Sequence, residues 1–344
     1  MLQPNFSPPI PNTNLRSRSI DYARRSIPTW IRAASSISTS PEQDLPRRHS
    51  TEHICPACRE AVSEIHIPRI RASRAATELV EQARRAVLDH FNAPVGEYRV
   101  IFTANASAAC RIIGEAYPFT QDTRFASTAD NHNSVTGVRE FARAKDSATA
   151  SVLITTPDLR TTDEAVRTAL SDHVRPAFLD SRPEPNSRRG LFAYPAQSNF
   201  TGVQHPLDWV EMAHDYGYDV LLDAAAYPPA NELDLDAVQP DFIPVSWYKL
   251  FGYPTGVGCL IAREEALARM RRPWFAGGTV TAASVLGDWH VPTDDESAYE
   301  DGTLNFLSIP DVTFGIGWLN GLGIDLVGRR VRCLTGWLLD RLRS

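Results

Sequence analysis

The chain has 344 residues, of which 43% are hydrophobic and 22% are charged, and its formal net charge is −6. This composition is typical of a soluble globular protein with one or two domains. The net negative charge gives no support for nucleic-acid binding, and no apolar run approaches the roughly 18 residues that cross a bilayer. Five cysteines do not indicate a disulfide-stapled secreted fold, so we predict a reducing, cytoplasmic location.

The N-terminal segment, residues 1–50, is rich in Ser, Pro and Arg and poor in aromatic residues. Such a composition buries too little apolar surface to order itself, which predicts a disordered tail. An Arg-rich, Ser-rich, acid-poor beginning also resembles a mitochondrial targeting segment. Pro4, Pro8, Pro9 and Pro11 interrupt any early amphipathic helix, so a disordered tail is preferred and mitochondrial targeting is the alternative.

A Cys-x-x-Cys pair follows in "HSTEHICPACRE", with His49, His53, Cys55 and Cys58. Cysteine pairs of this kind bind zinc or cycle as a dithiol. The two upstream histidines do not have a recognised ligand spacing, and no second pair follows. We therefore predict free thiols here and no metal site.

From Ser73 the pattern becomes helical, with apolar residues at spacings of three and four up to Phe91. Helices alternate with short apolar strands after that, which predicts an α/β domain with a mainly parallel sheet covered by helices. The predicted strands are 98–103, 123–128, 150–156, 190–195, 218–224, 241–247 and 257–263. Helices are expected at 107–116, 135–145, 162–172 and 207–216. A further helical run begins after about residue 305.

Three polar features lie at the carboxyl ends of these strands, where α/β sheets bind ligands. Asn105 and Ser107 join strand 98–103 to a helix in the manner of an anion site, although an ordinary capped helix is the preferred explanation of these residues taken alone. Asp223 ends a buried strand, where it either meets a protonated ring nitrogen or acts as a helix cap or the partner of an Arg in an ion pair. His132 lies in "DNHNSV", where it is either a polar loop residue or a ring that stacks on a cofactor.

Lys249 is the fourth feature. Of the 35 Lys and Arg residues only Lys145 and Lys249 are lysines. An amine can lose its proton and attack a carbonyl, whereas a guanidinium stays protonated. Strand 241–247 delivers Ser246 and then Lys249 to the sheet edge. A phosphate site, an acid, a stackable imidazole and a reactive amine together are what pyridoxal 5'-phosphate requires.

Several segments resemble the class V aminotransferase superfamily, and within it the cysteine-desulfurase-like N-terminal domain of molybdenum-cofactor sulfurases. The segments are "DNHNSVTGVRE", "LFAYPAQSNFTG", "DFIPVSWYKLFGYPTGVGCLIAR", "WFAGGTV" and "YEDGTLNFLSIPDV". The resemblance covers roughly residues 70–330. It implies the fold-type-I architecture, with a large cofactor domain at 51–305, a small C-terminal domain beginning at 306–344, and a homodimer.

The resemblance also implies roles for individual residues. Lys249 would form the internal aldimine with pyridoxal phosphate, Asp223 would hold the pyridine nitrogen, and His132 would stack on the ring. The phosphate would be bound by residues of the two strand ends: Asn105, Ala106, Ser107 and Ser246.

Four further positions complete the comparison with the family. Asn199 would lie near the ring hydroxyl, and Thr279 would approach the phosphate from the partner subunit. Tyr248 stands where desulfurases often have His. Ala226 replaces a Gln of the desulfurases that the sulfurase branch also lacks.

The resemblance implies an enzyme that acts on an amino acid, with L-cysteine as a candidate substrate. The family's C-terminal part supplies an Arg for the substrate carboxylate and, in desulfurases, the cysteine that accepts sulfur, and no counterpart is found in the sequence. The leading interpretation is a cysteine desulfurase or molybdenum-cofactor sulfurase type of enzyme. The alternatives are a C–S lyase, an epimerase or a transaminase with the same cofactor, and a truncated, non-catalytic homologue.

Overall fold

One seven-stranded sheet dominates the computed structural model, which describes residues 71–155, 158–171 and 188–343. Its strands are β1 (Tyr98–Thr103), β2 (Arg124–Thr128), β3 (Ala148–Val152), β4 (Gly190–Pro195), β5 (Tyr218–Asp223), β6 (Phe242–Ser246) and β7 (Gly258–Arg263). The strand order is β1-β7-β6-β5-β4-β2-β3. Strand β7 runs in the opposite direction to the other six strands of this sheet and pairs antiparallel with β1 and β6. The remaining pairs are parallel, so the sheet is mainly parallel as predicted.

Helices cover both faces of this sheet. They are α1 (Arg71–His90), α2 (Ala106–Ala116), α3 (Asn133–Thr136), α4 (Val138–Arg143), α5 (Asp163–Ser171), α6 (Trp209–Asp215), α7 (Leu235–Val238), α8 (Trp247–Phe251), α9 (Glu264–Arg269), α10 (Pro310–Leu322) and α11 (Ile324–Arg343). Alternate strand residues enter two separate cores: Val220 and Leu222 of β5 pack on one side, and Leu221 packs on the other. Burial on both faces explains why the strands are continuously apolar in sequence.

The predicted boundaries need three corrections. The helix predicted at 135–145 begins earlier and divides at Gly137 into α3 and α4. The strand predicted at 150–156 is β3, which begins at Ala148, because it pairs in register with β2. The helical run after residue 305 divides at Gly323, whose φ of 79° ends α10.

A two-stranded hairpin of β8 (Val280–Ala283) and β9 (His290–Pro292) was not predicted. It lies between two short 3₁₀ helices, Gly277–Thr279 and Glu296–Tyr299. The strands are short, with β8 mostly half-buried and β9 exposed, so they lack the buried apolar run that identifies the strands of the main sheet. The hairpin and the segment before it expose several large apolar side chains, namely Trp274, Phe275, Val285, Leu286, Trp289 and Val291.

The predicted tail at 1–50 and the residues His49, His53, Cys55 and Cys58 lie outside the described residues. Within the described ranges no helix has the combined length and apolar character that spanning a bilayer requires. The domain boundaries at 51–305 and 306–344 remain predictions.

Candidate active site

The carboxyl ends of β1, β2, β5 and β6 meet the amino end of β7 at one edge of the sheet, because β7 is antiparallel to its neighbours. A cavity of about 350 Å³ lies at this edge. Its walls are formed by Ala104, Asn105, Ala106, Ser107, Cys110, His132, Ser134, Asp223, Ala225, Ser246, Tyr248, Lys249, Thr255 and Gly256. The structure therefore brings eight of the ten predicted site residues together around one space.

Lys249 lies in α8, a single turn that begins directly after β6. Its side chain is half-buried, and Nζ donates a hydrogen bond of 3.4 Å to Oδ1 of Asn199. Asn199 is not part of the cavity wall, yet this contact places it beside the amine. The amine thus reaches the cavity while held by a neutral acceptor.

Asp223 is the last residue of β5, and its side chain is buried. Burial raises the pKa of its carboxyl group, against the opposing effects of the Ala225 N–H and the charge of Lys249. Oδ1 accepts a hydrogen bond of 3.0 Å from the Ala225 backbone. Such a buried acid stabilises a positive charge placed against it.

The turn from β1 into α2 places backbone N–H groups at the cavity. Asn105 caps the helix, with Oδ1 accepting from the backbone of Ala108 at 2.9 Å. The backbone N–H of Ala106 donates to Oγ of Ser246 at 3.3 Å. Hydroxyl and N–H donors at the start of an eleven-residue helix suit a phosphate group.

Gly258, at the start of β7, allows this turn to approach the sheet. A Cβ atom at position 258 would lie 2.7 Å from the backbone of Asn105 and 2.7 Å from the carbonyl oxygen of Val245. The absence of a side chain at this position is thus required for the turn from β1 into α2 to lie against β7.

His132 follows β2 and caps α3 with its own side chain: Nδ1 accepts a hydrogen bond of 3.2 Å from the backbone N–H of Ser134. The imidazole is exposed at the cavity wall. Tyr248 also lines the cavity and is 44% exposed. Both rings therefore remain accessible to a bound molecule.

Thr279 does not line this cavity. It is buried in its own chain, and its Oγ1 accepts a hydrogen bond of 2.9 Å from the backbone of Ala276. The predicted approach of Thr279 to the phosphate of a partner subunit stays a prediction.

Sequence reasoning missed six residues of the cavity wall, namely Ala104, Cys110, Ser134, Ala225, Thr255 and Gly256. Cys110 was assigned only to the interior of a helix, where it indeed lies. Burial, and then the nearby charge of Asp223, raise the pKa of its thiol well above the usual value. Ser134 stands two residues after His132 in the motif "DNHNSV", and its place in the motif was the available signal.

These residues fit pyridoxal phosphate: an amine beside a buried acid, and hydroxyl and N–H donors where glycine permits a close approach. A family model described as aminotransferase class-V matches residues 59–344. The chain belongs to the class V aminotransferase family. Pyridoxal 5'-phosphate is the cofactor of this family, and the chain is accordingly a pyridoxal-phosphate-dependent enzyme.

Curated relatives of this class V chain are molybdenum cofactor sulfurases. The protein from Homo sapiens is 35% identical over 275 residues, which cover 73% of this chain and 28% of the relative. The protein from Arabidopsis thaliana is 31% identical over 299 residues, covering 79% and 36%. The chain thus spans about a third of the length of these relatives.

Among solved structures, the apo structure of a cysteine desulfurase from Thermococcus onnurineus NA1 matches with a TM-score of 0.67 and 24% identity. The match covers 81% of this chain and 66% of that one. This likeness confirms the predicted fold-type-I architecture of the class V family.

Proposed function

We propose that this chain carries the cofactor-binding part of a cysteine desulfurase or molybdenum-cofactor sulfurase type of enzyme, with Lys249 joined covalently to pyridoxal phosphate. The main support is that the Lys249 amine and the buried Asp223 carboxylate line the same cavity. Its volume of about 350 Å³ suits a small molecule. The sequence relationship to molybdenum cofactor sulfurases supports the choice within the class V family.

Seven residues of the cavity have a task in this proposal. The bound cofactor supplies an electron sink for the Cα carbanion of an amino-acid substrate. Asp223 would stabilise a protonated ring nitrogen, and His132 would stack on the ring. The Lys249 amine would move the proton at Cα of the substrate. The Ala106 N–H and the hydroxyl groups of Ser107 and Ser246, beside the cap residue Asn105, bind the phosphate.

The lysine assignment is tested by borohydride reduction of the purified holoenzyme, followed by mass measurement of its peptides. We expect the cofactor mass on the peptide that contains Lys249, and its loss in Lys249→Arg. Lys145→Arg is the matched control, because Lys145 is the only other lysine and is exposed. A reduced sample without cofactor mass at Lys249 would overturn the proposal.

A desulfurase needs an enzyme thiolate that attacks the substrate sulfur and leaves a persulfide and alanine. Burial raises the pKa of Cys110 and of Cys259, so both stay protonated thiols. The third cysteine of the described residues, Cys333, is exposed on α11. The burial of Cys110 and Cys259 favours a second candidate, a C–S lyase, transaminase or epimerase that needs no enzyme thiolate.

The two candidates differ in their need for cysteine residues. With L-cysteine as substrate, a desulfurase releases alanine and transfers sulfur, and replacement of all five cysteines by serine abolishes the release. A lyase retains its release of sulfide in the same variant. If neither alanine nor sulfide is released from L-cysteine, the desulfurase and the lyase are both excluded, and a transaminase or epimerase is favoured.

We also propose a homodimer as the working form. The exposed aromatic side chains of Trp274, Phe275 and Trp289 surround the hairpin next to Thr279, which suits an interface between two copies. Sedimentation of the wild type as a dimer, and of Trp289→Glu as a monomer with weaker cofactor binding, is the expected result. A monomeric wild type with full cofactor affinity contradicts the proposal.

A further inference from the structure

Ser134 lies between two of the predicted cofactor-binding residues. Its Oγ is 2.5 Å from Oγ of Ser107 and 3.0 Å from Nδ1 of His132. Ser134 also lines the cavity. The Ser134 hydroxyl group therefore connects Ser107, at the start of α2, with the imidazole of His132.

The direction of these hydrogen bonds follows from the backbone. Nδ1 of His132 accepts from the backbone N–H of Ser134, and an N–H group can only donate. Nδ1 therefore carries no proton, and the Ser134 hydroxyl donates to it as well. With its proton directed to His132, Ser134 accepts the hydrogen bond from Ser107. In the cofactor-free protein the chain of donors thus runs from Ser107 to Ser134 to His132.

A bound phosphate changes this direction. Its oxygens accept hydrogen bonds, so the Ser107 hydroxyl turns from Ser134 to the phosphate. The short contact between the two serines then needs its proton from Ser134. Ser134 consequently donates to Ser107, and His132 keeps only the backbone N–H.

We propose that Ser134 is a positioning residue that couples occupancy of the phosphate site to the hydrogen bonding of the His132 imidazole. This inference rests on the proposed cofactor site. Ser134 acts through Ser107 by orienting the hydroxyl group that would bind the phosphate. The same reorientation of Ser134 removes its hydrogen bond to the imidazole of His132.

Titration of cofactor-free protein with pyridoxal phosphate, followed by absorbance, tests the coupling. One lost hydrogen bond weakens binding about two- to tenfold, which is the effect expected for Ser134→Ala. Ser134→Thr keeps the hydroxyl and restores affinity. Because Ser134 acts through Ser107, Ser134→Ala has no further effect in a Ser107→Ala background. Thr136→Val, which removes a hydroxyl from the same short helix, is the matched control and binds normally.

The ¹⁵N resonance of Nδ1 in His132 gives a readout independent of activity. In wild-type protein, cofactor binding moves this resonance towards that of an unprotonated nitrogen with fewer donors. Ser134→Ala shows the moved resonance already without cofactor, and addition of cofactor leaves it in place.

The outcomes separate the two proposals. Equal cofactor affinity in wild type and Ser134→Ala, or additive losses in the Ser107→Ala and Ser134→Ala double variant, overturns the coupling and leaves the cofactor site intact. Failure of wild-type protein to take up pyridoxal phosphate overturns the cofactor site and the coupling together.

Discussion

The imidazole of His205 and the carboxylate of Asp130 are hydrogen-bonded at 2.8 Å between Nε2 and Oδ2, and both side chains are buried. Asp130 precedes His132 by two residues, and its carbonyl oxygen accepts a hydrogen bond from Ser198 at 3.2 Å. Ser198 in turn precedes Asn199. The pair therefore joins the loop that carries the imidazole to the loop that contacts Lys249.

His205→Ala should destabilise the protein by about 3–5 kcal/mol, because it leaves a buried carboxylate unpaired. Burial raises the pKa of Asp130, whereas the hydrogen bond and the charge of His205 lower it. The lowering effects together are larger, so the pKa of Asp130 is below its usual value. The stabilisation is therefore present at neutral pH and is lost as the pH falls through this lowered pKa. Urea unfolding at pH 7 and below pH 4 should show the difference between wild type and variant shrinking in acid.

His214→Ala is the control for that variant. Nε2 of His214 lies 2.7 Å from Oδ2 of Asp241, and this pair is at the amino-terminal end of the parallel strands, opposite the cavity. Both variants should unfold more easily, but only His205→Ala should weaken cofactor binding. Equal cofactor affinities in the two variants would show that the buried pair does not position the site.

Asp223→Asn should stabilise the cofactor-free protein and impair the holoenzyme. Burial raises the pKa of Asp223, so its charged form costs stability above that pKa, and the cost disappears as the pH falls through it. The amide removes this cost at every pH, with a gain in Tm of about 2–4 °C per kcal/mol that shrinks in acid. Turnover should fall at least about tenfold, because a charged hydrogen bond to the cofactor ring is lost.

Calorimetry at pH 8 and pH 4, with turnover measured in parallel, checks both parts. A variant that melts below the wild type at pH 8 would contradict the assignment of Asp223 as a buried carboxylate that costs the cofactor-free protein stability.

Gly258→Ala should cost about 1–3 kcal/mol, because the added methyl group overlaps the backbone of Asn105 and Val245. Displacement of the turn from β1 into α2, where the phosphate is proposed to bind, should also lower cofactor affinity. Gly96→Ala is the control: its φ of 78° costs about 1–2 kcal/mol, with no atom within 4 Å and no part in the cavity. Comparable cofactor affinities in the two variants would refute the role of Gly258 in positioning the turn.

Asn199→Ala removes the acceptor that lies 3.4 Å from the Lys249 amine. We expect about two- to tenfold weaker cofactor retention, the effect of one hydrogen bond, measured by titration of the cofactor-free protein. Gln197→Ala, two residues earlier, removes an amide that bonds to Gln204 and should leave retention unchanged. The reverse order of effects would argue against a role for Asn199 at the cofactor.

The sequence predicted the strands that build the site because they are continuously apolar. Strand β1 matches its predicted range fully, and β5 ends one residue early, at Asp223. The relation of Asp223 to Lys249 was predictable for the same reason, since parallel strands end at one edge.

Other features depend on three-dimensional contacts that no local pattern encodes. The chain Ser107–Ser134–His132 arises from side-chain orientations across two elements, and the hairpin of β8 and β9 consists of short strands without a buried residue. Thr279 could be placed only by analogy, because its predicted partner is a second copy of the chain.

The antiparallel insertion of β7 has a consequence for biosynthesis. Within the part of the chain that the structure describes, strand β1 joins the sheet only through β7, which begins 155 positions after Thr103, at Gly258. A nascent chain that has emerged only as far as Lys249 already contains the amine and the carboxyl group of the cavity, but its first strand still has no strand to pair with. The cavity wall includes the turn after β1, so its assembly depends on the strand of the sheet that is synthesised last.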